Sequence, residues 1–267
     1  PQDPNALATA VAALDALTGV TVSAPYRVGT PVVDRSRPGF QAVVHRLRIA
    51  YDALDTEGSE TAPLMRALIA RSMHELAMFT GELKGATVWG RRRGCVPAAM
   101  VVGPLDSAPL LALTEPSVIS RAVPFPATFE GDGPFSKVSA VALDADACNL
   151  ETRRTSTELG LREIVVDIEN PRAQRLSFIL TSSAGAVVEV GGTRVLERRF
   201  EEGGGDTLTF GHAVVDSGTA RVVVRLADKG DARGVELAIV DERGEPLPTA
   251  VPRPSSVAAA KAKTPVQ

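Results

Sequence analysis

The 267-residue chain is poor in the residues that anchor chemistry: it holds two cysteines, three histidines, one tryptophan and aromatics at only 4%. Its charge is nearly balanced as well, Lys+Arg 29 against Asp+Glu 32, so the net −3 gives no field able to recruit a phosphate backbone or an anionic lipid surface. Nucleic acid is thereby excluded as the expected partner. Long hydrophobic runs are missing too. Arg, Asp, Glu, Gly or Pro interrupts every apolar stretch before the roughly 18 residues that a bilayer-spanning helix needs, which leaves no transmembrane segment. Lysine is confined to Lys84, Lys137, Lys229, Lys261 and Lys263, so arginine supplies most of the positive charge.

The motifs of nucleophilic and metal catalysis are absent for stated reasons. Thr181-Ser182-Ser183-Ala184-Gly185 comes nearest to Gly-x-Ser-x-Gly but lacks the first glycine of the nucleophile elbow. His74-Glu75 begins like a zinc-protease helix, yet position 78 is Met where the second ligand belongs. His45 and His74 read as ordinary helix-flank residues. Gly203-Gly204-Gly205-Asp206 is followed by no Lys-Ser/Thr and reads as a loop rather than a phosphate cradle. No catalytic residue is nominated, and no cofactor is expected. Asp144 and Asp146, near Asp132, have the alternating spacing of calcium ligands, which is equally the spacing of a solvated turn.

What is present is patterning. A hydrophobic fraction of 44% with 23% charged residues supports a buried core, and Gly 23 with Pro 19 punctuates it often. Asp3-Pro4 followed by Leu7, Val11, Leu14 and Leu17 predicts a helix over 4–18, and 20–33 reads as irregular or extended. After Pro38, the residues Phe40, Val43, Val44, Leu47, Ala50, Tyr51 and Leu54 draw one helical stripe. Thr61 and Pro63 open another, with Met65, Leu68, Ile69, Ser72, Met73, Leu76 and Phe79 running to Gly81. The two form a helical hairpin, read as packing structure. Near residue 97 the period drops to 2, with strands expected at 98–102, 137–143, 161–168, 186–190, 193–200 and 207–215, and around Leu176–Leu180, Val222–Leu226 and Val235–Ile239. The fold class is therefore α+β, an N-terminal helical segment with a helical hairpin followed by an antiparallel β-sandwich of two packed sheets. The boundaries follow as 1–96 helical, 97–246 sandwich and 247–267 a Pro/Ala-rich linker or tail.

Three groups stand out as candidate sites. Trp89 followed by Arg91, Arg92 and Arg93 could stack on or bind an anionic ligand, against the plainer reading of a solvated loop. Cys95 and Cys148, fifty-three positions apart, form either one disulfide or two buried thiols. Gly191-Gly192 reads as a two-residue hairpin turn, with Val190 facing Thr193, Glu189 facing Arg194 as a charge pair, and Val188 facing Val195. Sugar binding needs exposed aromatic platforms, and Tyr26, Tyr51 and Trp89 all precede the sandwich.

Two stretches of the β region resemble a galactose-binding-like jelly-roll module of exported bacterial proteins, often joined to helical repeats or transglutaminase-like domains. Met100-Val101-Val102-Gly103-Pro104-Leu105-Asp106 is similar to that module's opening strand and its Gly-Pro turn, with Leu105 in the place of the usual Phe. Val188-Glu189-Val190-Gly191-Gly192-Thr193-Arg194-Val195 is similar to its Val-Asn-Gly hairpin, followed by a strand like Ala220–Leu226. The resemblance spans about 98–248 and carries over no catalytic residue. It implies a jelly roll, an extracytoplasmic location and a Cys95–Cys148 disulfide. The function it implies is a non-catalytic binding or scaffolding module, the front portion of a larger exported bacterial protein, with a protein or a surface polysaccharide as partner. A hydrolase with an interdomain active site and a carbohydrate-binding module stand as the alternatives.

Overall fold

The computed structural model describes residues 40–54, 61–121, 124–146, 148–200, 207–229, 234–255 and 260–261. The helix expected at 4–18, the extended stretch at 20–33 and the Gly203–Asp206 loop lie outside the described residues.

Two helices arise where the apolar stripes put them, α1 at Phe40–Ala53 and α2 at Ala62–Thr80. Pro63 lies in the first turn of α2, where its missing N–H is no loss, and Gly81 closes the helix with φ +69° while its N–H reaches back to the last turn. A third helix, α3 at Leu83–Arg92, covers the stretch the sequence assigns to a loop. Ala86, Trp89 and Arg93 lie buried at i, i+3 and i+7, a short helical stripe that Gly85 and Gly90 obscure in the sequence.

The strands are β1 (Ala98–Val102), β2 (Thr128–Glu130), β3 (Val138–Asp144), β4 (Asn149–Leu150), β5 (Gly160–Asn170) and β6 (Gln174–Ser182). They continue as β7 (Gly185–Val190), β8 (Thr193–Arg198), β9 (Thr207–Val215), β10 (Gly218–Asp228), β11 (Val235–Val240), β12 (Thr249–Ala250) and β13 (Ala260–Lys261). The larger sheet has the order β13-β2-β3-β1-β5-β10-β7-β8 with β12 on β5, and the smaller the order β4-β11-β6-β9. Within each sheet the pairs are antiparallel, apart from the parallel β2/β13 contact. The two sheets face each other across a core of alternate residues, among them Ile164, Val166, Leu176, Phe178, Leu180, Val222, Val224, Leu237 and Ile239.

Both outer faces are covered as well, and this explains why so many strand residues are buried on both sides. On the small sheet, Ile179, Leu208, Ala238 and Val240 pack against Leu47, Tyr51, Leu68, Ile69 and Trp89 of the helices. On the large sheet, Val165, Val187 and Val223 lie under Leu105, Leu113, Ile119, Phe125 and Phe129 of a strap that follows β1 and includes α4 (Pro109–Ala112). At the end of β1 the cis Gly103–Pro104 peptide turns the chain, and a Cβ on Gly103 would come within 2.8 Å of the Leu161 carbonyl and 2.9 Å of the Arg162 Cα. Only glycine fits there.

The Gly191-Gly192 turn has φ +55° and +83°, both positive as a type I′ turn requires. Val190 faces Thr193 and Glu189 faces Arg194, but a register shift between Val188 and Glu189 brings Val188 opposite Leu196 instead of Val195. The expected Glu189–Arg194 charge pair is also replaced. Glu189 is buried beneath the strap and accepts the Ser117 amide on both carboxylate oxygens at 3.1 Å, while Arg194 turns to Glu197 and the Leu113 carbonyl. The strap decides this, since it covers the face that a bare hairpin would leave to solvent. Beyond β11 the Pro-rich stretch lies along the sheet instead of running free: Leu247 packs on the inter-sheet core, Thr249–Ala250 pairs with Ile168 and Asp167, and Ser255 bonds to Phe125.

Candidate functional site

The helices enclose a cleft of about 530 Å³. One face of α1 contributes Val44, Arg48 and Asp52 at i, i+4 and i+8, α2 contributes Met73, Leu76 and Ala77, and Glu82 stands at the turn between α2 and α3. From α3 come Lys84, Gly85, Val88, Trp89 and Arg92. The floor is apolar and the rim charged, with Arg48, Lys84 and Arg92 against Asp52 and Glu82, a balance of one positive charge. Val88 is half exposed and Leu83 is 70% exposed at the start of the same helix.

Trp89 and Arg92 are therefore brought together at a cleft, and Arg91 and Arg93 are not part of it. Trp89 is only 5% exposed: Tyr51 meets it edge-on at 5.2 Å and the Arg92 guanidinium lies 4.8 Å over its ring. It forms the back wall of the cleft and presents no flat face to a sugar. Arg66 covers the other aromatic ring at 4.6 Å from the Tyr51 centroid, and burial pushes the Tyr51 phenol up from its ordinary pKa. Arg91 is exposed.

Arg93 is 4% exposed and faces the sheet, where its Nη2 donates to Glu236 at 2.7 Å. Arg71 of α2 joins this cluster, bonding Glu75 at 2.8 Å, Thr181 at 2.6 Å and Glu236 at 3.3 Å. These contacts tie α2 and α3 to β6 and β11. Burial pulls the Arg93 guanidinium down, with Glu236 opposing that shift. Arg93 thus belongs to the joint between helices and sheet, apart from Trp89 and Arg92 at the cleft.

A covalent link reinforces the joint. Cys95, bridged to Ala238 just after α3, is bonded to Cys148 in the turn before β4, with S–S 2.07 Å and Cα–Cα 5.5 Å. His74 sits on the same side of the helices, 6% exposed, with its Nδ1 2.8 Å from the Ala86 carbonyl. Burial lowers its pKa, and because a carbonyl oxygen only accepts, Nδ1 carries the proton of that bond.

Other sequence candidates take plain structural places. Asp144 ends β3 and Asp146 is exposed, 4.0 Å from Arg154. Among the described residues no group of three or more His, Cys, Asp or Glu converges as a metal site would require. The Nε2 of His212 accepts from the Arg175 guanidinium at 2.7 Å, and Ser182 of the 181–185 run accepts the Ala184 amide in a buried hairpin turn. No helix among the described residues is long and apolar enough to cross a membrane.

Arg48, Asp52, Glu82 and Lys84 are cleft residues that the sequence reading passed over. The i, i+4 spacing of Arg48 and Asp52 beside the α1 stripe was the available signal. Nothing local announces α3, whose polar face only becomes a wall once α1 stands opposite.

No described protein family matches the sequence, and no curated protein does. Among solved structures, a β-glucosidase from Kluyveromyces marxianus in complex with glucose matches at TM-score 0.33 and 9% identity over 43% of this chain, which spans 15% of that one. The PA14 sugar-binding domain of an RTX adhesin matches at TM-score 0.26 and 18% identity over 34% of this chain and 50% of that one. The PA14 domain of the MpAFP antifreeze protein matches at TM-score 0.31 and 14% identity over 64% of this chain and 93% of that one. At such TM-scores no functional argument rests on the likeness.

Proposed function

We propose that the chain is a non-catalytic binding module of a larger exported protein, and that a segment of a partner protein seats in the interhelical cleft. The observation that carries the reading is the cleft itself, about 530 Å³ with Met73, Leu76 and Ala77 as floor and Arg48, Lys84 and Arg92 on its rim. An apolar floor takes apolar side chains, and the positive excess at the rim favours an acidic neighbour on the ligand. The sandwich is read as the rigid frame of this site, a jelly roll of the galactose-binding-like type. The Cys95–Cys148 bond supports work in an oxidising compartment. The division into 1–96, 97–246 and 247–267 belongs to the same reading.

Anilinonaphthalene sulfonate, an apolar double ring with one anionic group, is a direct probe. One saturable site is expected on the folded protein, weakened about tenfold in the double variant Arg48→Glu, Lys84→Glu with no change in melting temperature. Equal affinity in that variant, or binding without saturation, overturns the site. Titration with an acidic polysaccharide separates the partner classes: displacement of the probe by it would replace the protein partner with a glycan. Fluorophosphonate labelling of the folded chain that is lost on denaturation would overturn the non-catalytic part.

A further inference from the structure

Two ridges of side chains border the interhelical cleft. On α1 the ridge is Val44, Arg48 and Asp52, and on α3 it is Lys84, Val88 and Arg92, each set at i, i+4 and i+8. Both helices pack on α2, and they meet at the back of the cleft, where Tyr51 lies edge-on to Trp89. Val88 is 49% exposed and Val44 is half-buried, so each wall offers one apolar side chain within a charged row. The Arg92 guanidinium rests 4.8 Å over the Trp89 ring, which holds one cation of that row in place.

Every wall is helical. Apart from the end turns of the helices, the backbone N–H and C=O groups along the cleft are bonded within their own helices, so no ladder is open to an incoming strand. An extended peptide pressed on the apolar floor would leave its own N–H and C=O groups without partners, at a cost for each. A helix arrives with those groups already bonded. Its side chains also match the receiving surface, because rows spaced four residues apart border grooves that accept the corresponding row of another helix.

The charges orient such a helix. Lys84 and Arg92 stand one turn to either side of Val88, and α3 itself contains no acid, Glu82 lying ahead of its first turn. On α1, by contrast, Arg48 is followed one turn later by Asp52. Acidic side chains on the occupant therefore gain most where they face α3. Resting on the reading of the cleft as a binding site, we propose that its occupant is an amphipathic helix of a partner protein, with an apolar ridge at i, i+4 and i+7 toward the floor and an acidic flank toward Lys84 and Arg92.

Trp89 is the single tryptophan of the chain and forms the back wall, so its emission reports on the cleft directly. The probe is a capped peptide of about 18 residues with leucine at i, i+4, i+7 and i+11, glutamate along one flank and alanine elsewhere, free of aromatic residues. Titrated into the whole chain, it should shift the Trp89 emission to saturation and gain helical circular dichroism on mixing. The same peptide with lysine along the flank should bind about tenfold more weakly, and Lys84→Glu, in the first turn of α3 where an acid is well placed, should shrink or reverse that preference. A proline at the centre of the glutamate peptide should abolish binding. Equal binding of the proline peptide, a parent protein that prefers the lysine flank, or a preference unchanged in Lys84→Glu would each overturn the proposal. Failure of both helical peptides on a protein that takes the naphthalene dye at one saturable site would also overturn it and leave the cleft a binding site, whereas absence of a saturable dye site would remove the cleft reading and the helix together.

Discussion

Glu236 is the keystone of the joint between the helices and the small sheet, and its removal gives a quantitative test of how that joint is held. It sits on the outer face of β11, where one oxygen accepts from Arg93 at 2.7 Å and from Arg71 at 3.3 Å. The Arg93 side chain is 5% exposed, so Glu236→Leu strands a buried guanidinium. Breaking a fully buried pair from one side costs about 3–5 kcal/mol. Two features reduce the figure: Arg71 keeps Glu75 and Thr181 as partners, and the Glu236 side chain is 24% exposed, which lets water reach the orphaned charge. The expected loss is therefore about 2–3 kcal/mol, read as a lower midpoint in urea with an unchanged slope. Adding Arg93→Met removes the stranded charge and fills its space with apolar volume, so the double variant should return to within about 1 kcal/mol of the parent. A single-variant loss below about 1 kcal/mol, or a double variant as unstable as the single, would refute the argument that the buried charge sets the cost.

Replacing both cysteines with serine should lower stability by roughly 4 kcal/mol in the chain-entropy model for a loop of 53 residues, measured by urea unfolding in the absence of reductant. Gly191→Val should cost about 1–3 kcal/mol through its φ of +55° alone, since among the described residues nothing lies within 4 Å of the added Cβ, whereas Gly191→Asn should be tolerated. An unchanged melting temperature in the valine variant would contradict the turn. Glu163 lies beneath the strap with Arg225 at 2.9 Å, the Ser117 hydroxyl at 2.6 Å and Glu189 nearby, and burial pushes its carboxyl above the usual 4.5. The folded state then holds this proton to higher pH than the unfolded chain does. The stability it contributes is full below about pH 4.5 and falls as pH rises through the folded value, so Glu163→Gln should flatten that part of the melting-temperature profile. An identical profile in the variant would show that the slope arises elsewhere.

Local periodicity was sufficient for the elements that repeat it. The stripes from Phe40 and from Met65 give α1 and α2, and the 207–215 alternation gives β9 with the same bounds. The pair Gly191-Gly192 specifies its own turn, because positive φ is a property of those two residues and not of their surroundings. A short element with two glycines, α3, has too little pattern to announce itself, and it becomes a helix because Trp89 and Arg93 find Tyr51 and Glu236 to pack against.

What the sequence could not determine concerns faces and partners. Alternation says that Glu189 points away from Val188 and Val190. Only the strap, whose Ser117 is 72 residues away, makes that second face an interior and turns an expected surface charge pair into a buried anchor. Arg93 could not be separated from Arg91 and Arg92 by sequence, because its partner Glu236 lies 143 residues further on. The same holds for the cleft, whose walls come from two helices that a third holds apart. Spacing along a chain fixes which residues share a face, whereas burial and charge pairing depend on what another part of the chain brings to that face, and this only tertiary structure decides.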